Sequence, residues 1–286
     1  MKNQHSEHLI LLVLATLFIS TSGALGKYID LPTPVVIWWR CFLGGLFLYA
    51  FCRYKKFELK IHSRKDAIAI LISGLLLGMH WITYFYALKL SNVAIGMLSL
   101  FTFPIITAFL EPLFIKVTFD PIYLLLGAII LFGVYMLAPE LDIESTHVKG
   151  ILFGLLSAFF FALRNIMSKK LTFNYSGTHI MFYQVIVLSI VLAPTLFYYG
   201  TSGIKTEFPY VIMLALITTA IGHTMLVNSL KHFTVSTASI INGIQPIFGI
   251  IIAYIFLNEM PTFNTFIGGS LILATVIIES VRSRNK

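Results

Sequence analysis

Charged residues are scarce in this chain of 286 residues: 11% are Asp, Glu, Lys or Arg, against 58% hydrophobic. A water-soluble core of this size cannot bury so much apolar material, so the shortage of charge excludes an ordinary soluble domain. Cysteine is scarcer still, and two cysteines exclude a disulfide framework. Cys41 and Cys52 fall on one expected helix, about 16 Å apart along its axis, too far to bridge each other. The polar stretches are short and leave no room for a separate soluble domain. Also missing are a phosphate-binding glycine loop, an HExxH pair, a GxSxG elbow and a paired-cysteine motif. ATP drive would therefore need a partner, and the usual marks of a hydrolase or metalloenzyme are lacking. No cofactor and no metal are expected. The acidic residues Glu140, Asp142 and Glu144 read as a solvated loop rather than a cation site.

What the chain does have is apolar runs almost end to end. Spanning a bilayer takes roughly 20 apolar residues as a helix, and runs of that length fall at 8–28, 34–54, 67–88, 93–115, 121–138, 148–169, 178–199, 208–230, 235–257 and 262–281. They are about twice as long as a membrane barrel strand, and backbone groups in lipid must be satisfied internally. An all-α integral membrane protein of ten transmembrane helices follows. Lys2 ahead of the run from Leu9 to Ile19 imitates a secretory signal. That segment stays apolar to Tyr28 and supplies the first helix of the repeat below, so it is expected to remain.

A net charge of +8 suggests nucleic acid until it is mapped onto the loops. With the N-terminus inside, fourteen Lys and Arg lie on the inner side and four on the outer, leaving Arg40 and Arg164 within helices. This is the positive-inside pattern for an even number of spans, with both termini cytoplasmic and a multi-pass location in the cell (inner) membrane. The basic run 53–65 reads as a topology determinant on anionic headgroups; no nucleic-acid partner is expected.

The sequence repeats itself at an offset of 142 residues. Val93 matches Val235, Leu88 and Lys89 match Leu230 and Lys231, Pro104 matches Pro246, Lys27 matches Lys169 and Gly127 matches Gly269. The units run over 8–138 and 148–281 with five spans each, and an odd number inverts the second unit in the bilayer. Inverted repeats recur in secondary transporters, because two similar halves rocking about a central site give inward-open and outward-open states of similar energy.

The segment FALRNIMSKKL at 161–171, and STASIINGIQPIFGIIIAYIFLNEMPT at 236–262 with its central proline and its leucine, small residue and glutamate, resemble the EamA family of the drug/metabolite transporter superfamily. The likeness runs from about Leu9 to Val281. It implies ten spans, cytoplasmic termini and movement of a metabolite. In the first half FTFPIITAFLEPLFIKVTFDP departs from the pattern: Val117 stands where the second half has Glu259, and a glutamate appears earlier, at Glu111.

Polar groups inside apolar helices mark the candidate cavity. Pro104 and Pro246, expected mid-helix, would free the carbonyls of Leu100 and Asn242, which either line a cavity or merely kink the helix. Asn242 and Gln245 beside the second proline, and His223 and Asn228 one helix earlier, either touch substrate or bond between helices. His80 and Tyr84 share a helix face next to Trp81. Arg40 lies two turns inside its helix and recognises an anion, snorkels or forms an ion pair; Arg164, nearer the inner end, is expected to snorkel. Glu111 is the proton-coupling candidate, with an interfacial structural carboxylate as its alternative. The expected function is secondary transport of a small metabolite, an amino acid or related compound with export among the directions, by alternating access. The expected partners are that substrate, the lipid bilayer and protons as a coupling ion, with the chain a monomer or homodimer. A membrane-embedded enzyme and a passive channel are the alternatives.

Overall fold

The computed structural model describes residues 2–136 and 145–284; Glu140, Asp142, Glu144 and the expected end of the first repeat at 138 lie outside the described residues. Regular structure among the described residues is helical, with no strand. Ten helical segments follow one another: α1 (Lys2–Tyr28), α2 (Thr33–Tyr54), α3 (Arg64–Leu90), α4 (Val93–Phe114), α5 (Ile122–Tyr135), α6 (Thr146–Leu171), α7 (Gly177–Tyr199), α8 (Ile204–Ser229), α9 (Val235–Leu257) and α10 (Phe263–Arg284). Eight of them, all but α5 and α10, are long and apolar enough among the described residues to cross a membrane; α5 contributes a shorter apolar stretch, Ile122–Gly133. Their outer surface is covered with exposed large apolar side chains, among them Leu113, Phe197 and Phe256, which suits lipid rather than water.

The loops start helices by side-chain capping. Ser63, Asn92, Ser145, Ser176 and Thr234 each accept a hydrogen bond from the backbone N–H three residues on, at 2.8–3.2 Å. Each satisfies one of the donors that a helix start leaves without a partner.

Four of the long helices are interrupted, α7 briefly at Leu192 between Val191 and Ala193. α4 stops at Leu100 and restarts at Phe103, and α9 passes through a 3-10 turn at Asn242–Ile244 before restarting at Gln245. Pro104 and Pro246 were expected in mid-helix; each instead occupies the first turn of the restarted piece, where a missing N–H goes unnoticed. α8 is π-helical from Leu214 to His223, a run far longer than the single π turns usual in proteins.

The dominant packing partners fall between the first five helices and the last five. α3 packs on α6, α1 on α8 and α9, α2 on α7, α4 on α6 and α9, and α5 on α10. The start of α4 meets the end of α9 and the end of α4 meets the start of α9, so these two run antiparallel. The 142-residue offset reappears as hydrogen bonds. Lys27 Nζ donates to the carbonyls of Leu88 (2.9 Å) and Ser91 (2.7 Å), and Lys169 Nζ to those of Leu230 (2.6 Å) and Phe233 (3.0 Å).

Candidate functional site

At the centre, α1, α3, α4, α6, α8 and α9 surround a small space lined by Ile19, Ser22, His80, Trp81, Tyr84, Leu100, Phe161, His223 and Gln245. It has room for about 10 Å³, enough for a single water at most. The sequence-predicted His80, Trp81, Tyr84, His223 and Gln245 therefore do converge, from three helices. The i, i+4 spacing of His80 and Tyr84 puts both rings on one face of α3, and they stack with centroids 6.1 Å apart. Phe161 of α6 also stacks on His80, at 4.3 Å. His80 Nδ1 lies 2.7 Å from the Ser157 hydroxyl, which in turn donates to the His80 carbonyl at 2.9 Å. Trp81 meets His223 edge-on at 5.2 Å, and among the described residues neither Trp81 Nε1 nor His223 Nδ1 has a hydrogen-bond partner.

Arg40 lies one layer behind this lining. Its guanidinium is fully buried and stacks on the Trp81 ring, 3.8 Å from the centroid. Nε donates to Thr219 Oγ1 at 2.7 Å and Nη2 to Thr218 Oγ1 at 3.2 Å, while Nη1 has no partner among the described residues. Both threonines belong to the π-helical run, and both hydroxyls reach the same guanidinium. Gly44 of α2 lets α8 come close enough: a Cβ there would sit 3.1 Å from the Thr219 methyl.

Arg164 departs from expectation. It does not snorkel but is fully buried between α6 and α7, with Nη1 bonded to Asn165 Oδ1 (3.0 Å) and Nη2 to Gln184 Oε1 (2.7 Å). Gln184 is held in turn by Ser73 and Ser168. The neutral amide network gives the cation partners inside the bundle, so its stem need not reach the interface. Among the described residues neither Arg40 nor Arg164 is paired with a carboxylate.

The remaining candidates sit elsewhere. Asn242 is buried at the α9 break with Oδ1 2.7 Å from the Thr16 hydroxyl, bridging α1 and α9. Asn228 is exposed at the end of α8, where its Oδ1 accepts the Gly177 N–H at 2.7 Å, away from the central space. Glu111, near the end of α4, is buried with both carboxylate oxygens engaged by the start of α9: Val235 N–H at 2.7 Å, Ser236 N–H at 2.8 Å and Ser236 Oγ at 2.6 Å. Glu259, just past α9, accepts the Val93 N–H at the start of α4 at 3.0 Å. A carboxylate against a helix N-terminus satisfies orphan donors and sits favourably in the helix dipole. Each glutamate lines a surface cleft, of about 370 Å³ at Glu111 and 190 Å³ at Glu259.

Sequence reasoning missed Ser22, Phe161, Thr218 and Thr219. Only one signal pointed to any of them: the repeat offset sets Ser22 opposite Arg164, a buried cation, so that turn of α1 faces the interior as α6 does. Nothing in the composition of α8 announces a π-helix.

Known proteins resemble the chain throughout its length. The pseudopaline exporter CntI of Pseudomonas aeruginosa is 23% identical over 271 residues, covering 94% of each chain. An uncharacterized transporter of Archaeoglobus fulgidus is 27% identical over 271 residues, 93% of this chain and 94% of that one. The S-adenosylmethionine uptake transporter of Rickettsia prowazekii is 32% identical over 118 residues, 41% of this chain and 40% of that one. A solved crystal structure shares the fold with a TM-score of 0.76 at 17% identity, over 97% of this chain and 99% of that one. The model of the EamA-like transporter family matches twice, at residues 7–138 and 148–281, and the chain belongs to that family.

Proposed function

We propose that this multi-pass membrane protein carries a small metabolite across the cell membrane by alternating access, with all ten helices crossing the bilayer and the units 8–138 and 148–281 inverted about the central space. The observation that carries this is the reciprocal pair of carboxylate contacts. Glu111 holds the start of α9 at one end of the bundle and Glu259 holds the start of α4 at the other. An α-helix of this length spans about 33 Å, so the two latches sit near opposite membrane faces. Opening either one would uncover the central space from one side while the other stays shut. The near-complete closure of that space supports a carrier over a passive channel, which needs a continuous path.

Orientation follows from the loop charges, with both termini cytoplasmic and Glu111 towards the inner face. The proposed cargo is a small metabolite, an amino acid or related compound; relatives include a pseudopaline exporter and an S-adenosylmethionine uptake transporter. Proteoliposome counterflow is the test: unlabelled cargo inside must accelerate entry of labelled cargo. Uptake that lacks this trans-stimulation would mean a channel, and chemical alteration of the cargo would mean an enzyme.

A further inference from the structure

The central space, taken as the transport site proposed above, is surrounded by positive charge that the protein leaves unanswered. Arg40 and Arg164 are both fully buried, and every hydrogen-bond acceptor they meet is neutral: two threonine hydroxyls for the first, two side-chain amides and a methionine sulfur for the second. Among the described residues the one buried carboxylate is Glu111, whose oxygens are taken up by the start of α9. Two guanidinium ions in a region of low dielectric constant without a counter-ion are costly, and an arriving anion would lower that cost. A cationic cargo would add a third like charge to the same region. The two arginines are not equally available. Among the described residues Arg164 has three acceptors on its two terminal nitrogens and lacks a partner only at the inner Nε, whereas Arg40 lacks one at a terminal nitrogen, Nη1. Arg40 also presents its face to Trp81, which forms part of the lining and carries an unpartnered Nε1 of its own. The other walls are flat: the Tyr84, His80 and Phe161 rings lie within 11° and 23° of parallel in successive pairs.

We propose that the cargo is an organic anion, a carboxylate or phosphate on a planar apolar body, and that Arg40 is its counter-ion. Trp81 covers the guanidinium in the closed state and turns aside as the anion arrives. The rings of Tyr84, His80 and Phe161, stacked on one another in the closed state, part as the space opens and offer their flat faces to the planar body.

Thermal unfolding of the full chain in detergent, with four probes of one shape, tests this. Phenylacetate, phenyl phosphate, 2-phenylethanol and phenethylammonium differ in the charge they carry on a common ring. The expected result is a concentration-dependent rise in Tm with one or both anions and none with the alcohol or the ammonium ion. The stronger of the two anions separates carboxylate from phosphate as the preferred head group. In Arg40→Gln the apparent affinity for that anion falls roughly tenfold or more, while Arg40→Lys keeps part of it. Arg164→Gln should weaken it less. Equal shifts from the ammonium or the alcohol, an unchanged anion response in Arg40→Gln, or no shift from any probe would overturn the assignment. Should Arg40→Gln fail to fold, the comparison of the four probes on the unaltered chain and on Arg40→Lys decides alone. Counterflow of the stabilising anion separates this from the transport proposal: binding without exchange would sink the carrier and leave the anion site standing.

Discussion

Glu111 of α4 accepts the backbone N–H of Val235, the first residue of α9, at 2.7 Å. The equivalent contact at the other end of the bundle is made by Glu259 on Val93, and Val93 and Val235 are related by the 142-residue repeat. The two glutamates are not: the repeat partner of Glu259 is Val117. The same physical task is thus met from two different places in the chain.

The contacts are unequal, and so should be their loss. Glu111 is buried and takes three hydrogen bonds, whereas Glu259 is half-buried and takes one. Glu111→Gln is expected to lower stability by about 1.5–3 kcal/mol and to slow exchange strongly, Glu259→Gln by less. Thermal unfolding in detergent and counterflow measure the two effects; a larger loss in Glu259→Gln would reverse the ranking.

Lys27 and Lys169 do matched work on matched carbonyls. Replacing either by Ala strips two backbone carbonyls of a charged donor, at an expected cost of about 1.5–3 kcal/mol. Lys56→Ala, on an exposed loop, should stay within about 0.5 kcal/mol. Equal unfolding temperatures for all three variants would show that the anchors are ornamental.

Gly127 and Gly269 are repeat partners with opposite tolerance. A Cβ at Gly127 would lie 2.6 Å from Ile105 Cγ1, in a branched side chain with little freedom, while among the described residues nothing approaches within 4 Å at Gly269. Gly127→Ala is expected to destabilise by about 1–3 kcal/mol. Gly269→Ala should be neutral or gain up to about 1 kcal/mol of helix propensity.

Thr219 holds the Arg40 Nε at 2.7 Å. Thr219→Val keeps the shape and removes the oxygen, leaving a buried cation short of a partner, for an expected loss of about 1.5–3 kcal/mol. Thr219→Ser should recover most of it. If valine and serine unfold alike, the hydroxyl contributes nothing to holding the guanidinium.

Helix positions were legible because lipid demands long apolar runs, and the repeat was legible because Pro104 and Pro246 punctuate both halves. Where those prolines sit was not: a proline forbids an upstream partner, but whether the helix bends or breaks and restarts depends on what packs beside it. His80, Trp81, Tyr84, His223 and Gln245 could be gathered as polar or aromatic groups in apolar surroundings. Asn228 has the same character and faces another way, since one turn at the end of α8 carries it to the surface. Arg164 was misjudged because depth along a helix says nothing about Gln184, which comes from a different one. Both readings of Glu111, proton coupling and an interfacial structural carboxylate, were open in the sequence; its partner, the start of α9, was hidden by the departure from repeat register that makes Val117 the formal match.

The threonines that hold Arg40 lie 178 and 179 residues further along the chain. A ribosome adding about 5–20 residues per second reaches them roughly 10–35 s after the arginine has been made. During that interval α2 must enter the bilayer carrying a charge that costs about 2.5–3.5 kcal/mol at membrane depth, with Trp81 arriving first as a provisional shelter. A nascent protein cut short before α8 should therefore be poorly retained in the bilayer at its second segment and be cleared by quality-control proteases, while the full-length product survives.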